Sequence, residues 1–195
     1  MTSQSVVTPQ RFASGFTYAG YVAQVTVNKE RFTDFYNGFQ LSADDTEFFR
    51  RIARGPGGAA KILVLGEEWC PDVFRGLPVA ARIAEAAGME LRMFPRDKNT
   101  DIMNLFLNQG QFMSIPVIVF YTRDLGYIWH FTERPAAANR ERAEIDAQVK
   151  KELPAASEQD LRNAMRQRLA SRQAPWQQET VREMRQALSE KLGVK

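Results

Sequence analysis

The stretch that decides the fold is Lys61 to Val73, KILVLGEEWCPDV, answered further along by Ser114 to Tyr121, SIPVIVFY. Lys61 to Leu65 is a continuous aliphatic run of strand length, the pattern of a strand buried on both faces. Pro71 suits the first position of a helix, because it has no N–H to lose there. Beyond it Leu77, Ala80, Ala81, Ala84 and Ala87 form an inner stripe, and Gly88 closes the segment. Trp69-Cys70-Pro71-Asp72-Val73 therefore sits at a strand-to-helix junction. A thiol at a helix N-terminus faces unsatisfied N–H groups and the positive end of the dipole, which favour the thiolate.

Working outward, Met89 to Phe94 reads as a second strand. Asn99 or Thr100 opens a helix carrying Ile102, Met103, Leu105 and Phe106, which Gly110 ends. Pro116 opens a third strand over Val117 to Tyr121, Arg123 to Gly126 is a turn, and Tyr127 to Phe131 (YIWHF) returns as a fourth. This order implies crossover helices linking parallel neighbours, with the last pair an antiparallel hairpin.

Upstream, residues 1–15 are polar and read as a flexible lead-in. A short helix follows from Thr17. Asn28 caps a second, with Phe32, Phe35 and Tyr36 at helical spacing, and a third starts near Asp44 or Asp45 with Phe48, Phe49 and Ile52. Phe12, Phe16, Phe32 and Phe35 read as packing groups that fasten these helices to the sheet. Downstream, a helix runs from Pro135 to about Leu153, Ser157-x-x-Asp160 starts another, and Pro175 opens the last, where Met184, Leu188 and Leu192 recur at four. The chain thus divides into residues 1–15, a domain over 16–153, and a C-terminal helical extension over 154–195. The terminal helices can pack on the domain, on each other, or on a second copy as a homodimer.

Basic and acidic residues, 26 and 23 of them, alternate along the chain instead of gathering in a stripe, which argues against nucleic acid as a partner. Met1 to Gln10 lacks the basic and apolar regions of a signal peptide, and no run approaches the ~20 apolar residues that span a bilayer. A cytoplasmic protein with no membrane partner is expected. One cysteine and one histidine leave no intrachain disulfide and no protein-only metal site, so neither metal nor cofactor is expected. His130, inside the apolar YIWHF run, reads as a packed or edge residue.

In Trp69-Cys70-Pro71-Asp72 followed by Ser114-Ile115-Pro116, the chain resembles the thioredoxin superfamily. More narrowly it is similar to a bacterial thioredoxin-like family with Glu-x-Trp-Cys-x-Asp motifs. Gly15-Phe16-Thr17-Tyr18, Arg96-Asp97-x-Asn99-x-Asp101-x-Met103 and Ile115-Pro116-Val117 also match, so the resemblance spans roughly residues 15 to 150. It implies an α/β thioredoxin-like fold: a central mixed sheet of about four strands flanked by helices, with extra N- and C-terminal helices. It also implies that Cys70 is the reacting thiol and that Trp69, Pro71, Asp72, Ile115 and Pro116 border the substrate. Pro116 would be cis, leaving the Ile115 backbone to pair with an extended peptide.

One position departs from that pattern. Where the second cysteine belongs stands Val73. A dithiol enzyme attacks with the first thiol and resolves the mixed disulfide with the second. Any adduct at Cys70 must instead await an external thiol. Glu67, Glu68 and Asp72 oppose the helix effect on the thiol, and Arg75 offsets part of this. Asp72 reads either as a proton acceptor for an exchanging thiol or as a complement to the helix dipole.

Two functions stay open, and the sequence favours the first. The first is monothiol thiol–disulfide exchange through Cys70, with a protein or small-molecule thiol or disulfide as partner and a small thiol such as glutathione resolving it. The second is a non-catalytic module that holds an extended peptide beside Pro116. A carrier like the monothiol glutaredoxins is disfavoured, because Glu67 and Glu68 occupy the approach where those proteins place a basic residue.

Overall fold

In the computed structural model, which describes residues 6–194, the aliphatic run becomes β1 (Lys61–Gly66), an interior strand of a four-stranded sheet. β2 (Glu90–Pro95) pairs parallel to one side of it, Lys61 opposite Glu90 and Gly66 opposite Pro95. β3 (Val117–Tyr121) pairs on the other side and β4 (Tyr127–Thr132) borders β3, giving the order β2-β1-β3-β4. Ile62 to Leu65 and the whole of β3 are buried, as a central position requires.

The expectation of crossover helices between parallel neighbours holds for β1 and β2 and fails for β3. β3 runs antiparallel to β1, with Lys61 opposite Tyr121 and Leu65 opposite Val117. The segment after β2 holds only a 3₁₀ turn, Arg96–Lys98, and a four-residue helix, Thr100–Met103, so no long helix returns the chain to the other end of the sheet before β3. The helix expected to reach Gly110 stops early. Tight bonds from Leu105 N–H to the Ile102 carbonyl and from Phe106 N–H to that of Met103 end it. Left-handed backbone at Gln109 and Gly110 then turns the chain, and Asn108 and Phe112 bridge across the turn.

Among the described residues five helices precede β2. The lead-in expected to be flexible is structured where it is described: Thr8 caps α1 (Pro9–Ala13), Phe12 is buried, and Arg11 donates to Asn99 and pairs with Asp101. Residues 1–5 lie outside the described residues. Phe16 fastens to the sheet through its backbone, exchanging two hydrogen bonds with Met93, while its ring is partly exposed. α2 (Tyr18–Gln24) is capped by Thr17, and α4 (Ala43–Arg54) by Ser42. α3 (Lys29–Gly38) has no side-chain cap. Asn28 adopts left-handed backbone there, and its amide reaches across to the Glu68 carbonyl. α5 (Pro71–Ala87) is the crossover between β1 and β2, with Phe32 and Phe35 packed against its Phe74.

The short Thr100–Met103 helix is α6, and three longer ones follow β4: α7 (Ala136–Glu152), α8 (Glu158–Ala170) and α9 (Gln173–Leu192). Ser157 caps α8 by accepting from the Asp160 N–H. α9 packs on α5, α4 and β4, burying Val181, Met184 and Leu188 in the main core. Its apolar stripe is spent inside the chain. α8 leans on α7 instead, through a second small cluster of Ala138, Leu169 and Trp176. Among the described residues no helix is long and apolar enough to cross a membrane.

Candidate functional site

Cys70 stands at the N-cap of α5, its carbonyl already accepting from the Val73 N–H. Its Sγ lies 3.6 Å from the Ile115 carbonyl oxygen, to which the thiol donates. The Ile115–Pro116 peptide bond is cis. α5 comes this close to the proline because residue 76 is glycine: a Cβ there would lie 3.1 Å from Pro116 Cγ. The Ile115 N–H, next to the thiol, donates to no acceptor among the described residues. Val73, three positions after the thiol, packs inward. It is fully buried, and a Cβ on Gly66 would come within 2.7 Å of its Cγ1.

Burial pushes the Cys70 thiol up, and the negative charge of Asp72 adds to this. The N–H groups of Val73 and Asp72 and the Arg134 guanidinium pull the other way without prevailing. Glu67 and Glu68, expected to weigh on the thiol, have other partners. Glu67 accepts from the Asp97 N–H at 2.8 Å. Glu68 accepts from Thr26 N–H at 2.7 Å and from its hydroxyl at 2.9 Å. Burial works against the Glu68 carboxylate, yet these bonds hold it below the usual range.

Asp72 is neither a free proton acceptor nor a solvated complement to the dipole. It is buried, with Oδ1 accepting from Arg75 Nη2 at 2.5 Å and Oδ2 from Arg134 Nε at 3.0 Å and Nη2 at 2.5 Å. Both of its oxygens are thus occupied by guanidinium donors. Arg75 is buried in turn, donating to Gln173 at 3.0 Å and lying over the Trp176 ring at 5.2 Å. Arg134 comes from the loop after β4, a segment whose alternating charges gave no sign of a buried role. That loop is tied to the proline by a bond from the Glu133 N–H to the Pro116 carbonyl.

Val73, Ile115 and Pro116, the apolar neighbours of the thiol, are buried, whereas three large apolar side chains of the flanking segments are exposed. Trp69 is 52% exposed, Phe112 55% and Met113 40%, whereas Cys70 is 8% exposed. Arg96 joins them, its guanidinium 5.3 Å from the Trp69 ring centre and Nη1 donating to the Met113 carbonyl. Of the residues singled out in the sequence, Trp69, Cys70, Pro71, Ile115 and Pro116 thus gather around the start of α5, and Asp72 turns inward beneath them. Phe112, Met113 and Arg96 are additions that only the folded loop brings alongside. His130 is half-buried, its Nδ1 2.7 Å from the Tyr127 hydroxyl, and burial pushes its pKa down. Among the described residues no group of three His, Cys, Asp or Glu side chains could hold a metal ion.

The model of a family described as thioredoxin matches residues 15–148. Among solved structures, a Pseudomonas aeruginosa protein of unknown function is similar at 22% identity and a TM-score of 0.60, over 84% of this chain and 96% of that one. An HIV epitope-scaffold is similar at 17% identity and a TM-score of 0.63, over 94% and 99%. At these identities the likeness concerns the fold. No curated protein matches.

Proposed function

The chain belongs to the thioredoxin family, and we propose that within it this protein serves as a binding module, holding an extended segment of a partner protein across Trp69 and the Ile115–Pro116 loop. The observation that carries this reading is the exposure of Trp69, Phe112 and Met113 while the thiol itself is covered. Exposed aromatic and Met side chains beside an unpaired backbone N–H suit an extended peptide, which gains affinity from main-chain bonds and selectivity from side-chain contacts. The missing partner at position 73 removes the step by which a dithiol protein would release itself.

A peptide array probed with the full chain tests this. Peptides rich in large apolar residues are expected to bind. Trp69→Ala should weaken the best of them at least about ten-fold, the value of one buried aromatic side chain. Cys70→Ser should leave affinity within about two-fold, since the thiol makes no covalent link. Loss of all binding in Cys70→Ser would sink the reading.

One observation favours a second reading, slow exchange through Cys70. The Asp72 and Val73 N–H groups and the Arg134 charge all favour the thiolate. In that case the Cys70 thiolate attacks a disulfide sulfur, forms a mixed disulfide and expels the other sulfur as thiolate. An external thiolate such as glutathione then attacks the mixed disulfide and restores Cys70.

Alkylation by iodoacetamide separates the two. The rate is expected to rise with a midpoint above the ordinary thiol value of about 8.5, because burial outweighs the favourable groups. The same shift affects stability. A neutral thiol favoured in the fold gives stability that is complete below the unfolded pKa and lost as pH rises through the folded one. Cys70→Ala should abolish that alkaline loss. A midpoint near 7 would restore exchange as the better reading.

A further inference from the structure

A cavity of about 900 Å³ opens beside this groove, between the start of α5, the start of α3 and the α7–α8 hairpin. That volume lies within the range of small-molecule sites. Trp69, Phe74, Leu161, Met165 and Leu169 supply its apolar wall. The charges around it are unevenly matched. Both carboxylates that line it are engaged, Asp146 with Lys150 and Glu158 with Arg162. Arg31, Arg142 and Arg166 line it as well, and none of the three makes a side-chain hydrogen bond or ion pair among the described residues.

Arg31 stacks on Phe35 and Phe74, at 5.6 and 5.4 Å from the ring centres. Arg31 and Arg166 are exposed at the rim, whereas Arg142 is half-buried. Burial and the neighbouring Arg134 work against the Arg142 charge, and Asp72, Glu133 and Asp146 offset part of this. The Arg142 guanidinium still reaches water, and no acceptor of the protein lies within bonding distance, so its N–H groups are open to a ligand. Its planar fork matches a carboxylate better than it matches a neutral group.

We propose that this cavity binds an amphipathic carboxylate of small-molecule size, its apolar chain against Trp69, Phe74 and Leu161 and its head on Arg142. The inference rests on the cavity and its unpaired arginines, and does not depend on the peptide groove. The two sites do share Trp69.

The test is titration calorimetry on the full chain with dodecanoate below its micelle concentration, beside dodecanol and dodecyltrimethylammonium. Dodecanoate is expected to bind saturably at one site, and the neutral and cationic analogues at least about ten-fold more weakly. Arg142→Gln should weaken dodecanoate by a similar factor and Arg142→Lys by less, with far-UV circular dichroism unchanged. Glu144→Gln, on the exposed part of α7, should leave binding as it is. Absence of saturable binding, equal binding of the three probes, or an unaltered affinity in Arg142→Gln would each overturn the proposal. If Arg142→Gln loses its fold, the comparison of head groups on the unaltered chain still decides.

Discussion

Asp72→Ala is expected to lower the melting temperature by roughly 10 °C. The reason lies in what the substitution leaves behind. The Asp72 and Arg75 side chains are both buried, and Arg134 shares the same carboxylate. Without Asp72, a buried Arg75 loses its counter-charge and faces a second guanidinium. Breaking a buried pair by removing one member costs about 3–5 kcal/mol, and about 2–4 °C accompanies each kcal/mol in a chain of this size. Arg75→Met should cost less, because Asp72 keeps Arg134. The double change Asp72→Ala with Arg75→Met should recover part of the loss, as residues of one network do not add. Thermal unfolding of the four proteins measures this. A loss below about 1 kcal/mol for Asp72→Ala would show that the pair is not the buried hub described above.

Trp176→Ala is expected to cost about 3–5 kcal/mol, as for other large-to-small changes in a core. Trp176 is fully buried where α9 begins, packed with Ala138 of α7 and Leu169 of α8. Its Nε1 donates to Glu141 at 3.0 Å, and its ring lies over Arg75. It is the piece that joins the α7–α8 hairpin to the network under Cys70. Its loss should release the hairpin first, since Met184 and Leu188 still hold the rest of α9 in the main core. Hydrogen exchange should therefore quicken over residues 158–170 before it changes in β1 or β3. Trp176→Phe, which keeps a ring and gives up the hydrogen bond, should cost nearer 1–2 kcal/mol. Equal acceleration across hairpin and sheet would contradict a localised role.

These two residues also mark where reading the chain by pattern stops. β1, α5 and the β3–β4 pair are legible because their signals are local: aliphatic runs of strand length, a small-residue stripe closed by Gly88, a turn between two short runs. Cys70 at the start of α5 and Pro116 before β3 follow from the same local grammar. Asp72 shows the limit. An acidic residue in the first helical turn suits the dipole in any sequence, and nothing nearby in the chain announces that Arg134, sixty-two positions on, will reach it.

Glu67 and Glu68 make the same point from the other side. Their charges are evident in the sequence, but their directions are set by the Asp97 and Thr26 N–H groups.

By itself, then, the amino-acid order determined the strands, the principal helix, the place of the lone thiol and the absence of its twin at Val73. Each depends on residues a few positions apart, where spacing translates directly into geometry. Tertiary structure alone decided that β3 runs against β1, that α9 enters the core, that the thiol is covered while Trp69 is not, and that three arginines surround a cavity without a carboxylate of their own. Such outcomes depend on which distant surfaces meet and how much water they exclude, and burial is a property of the assembled chain.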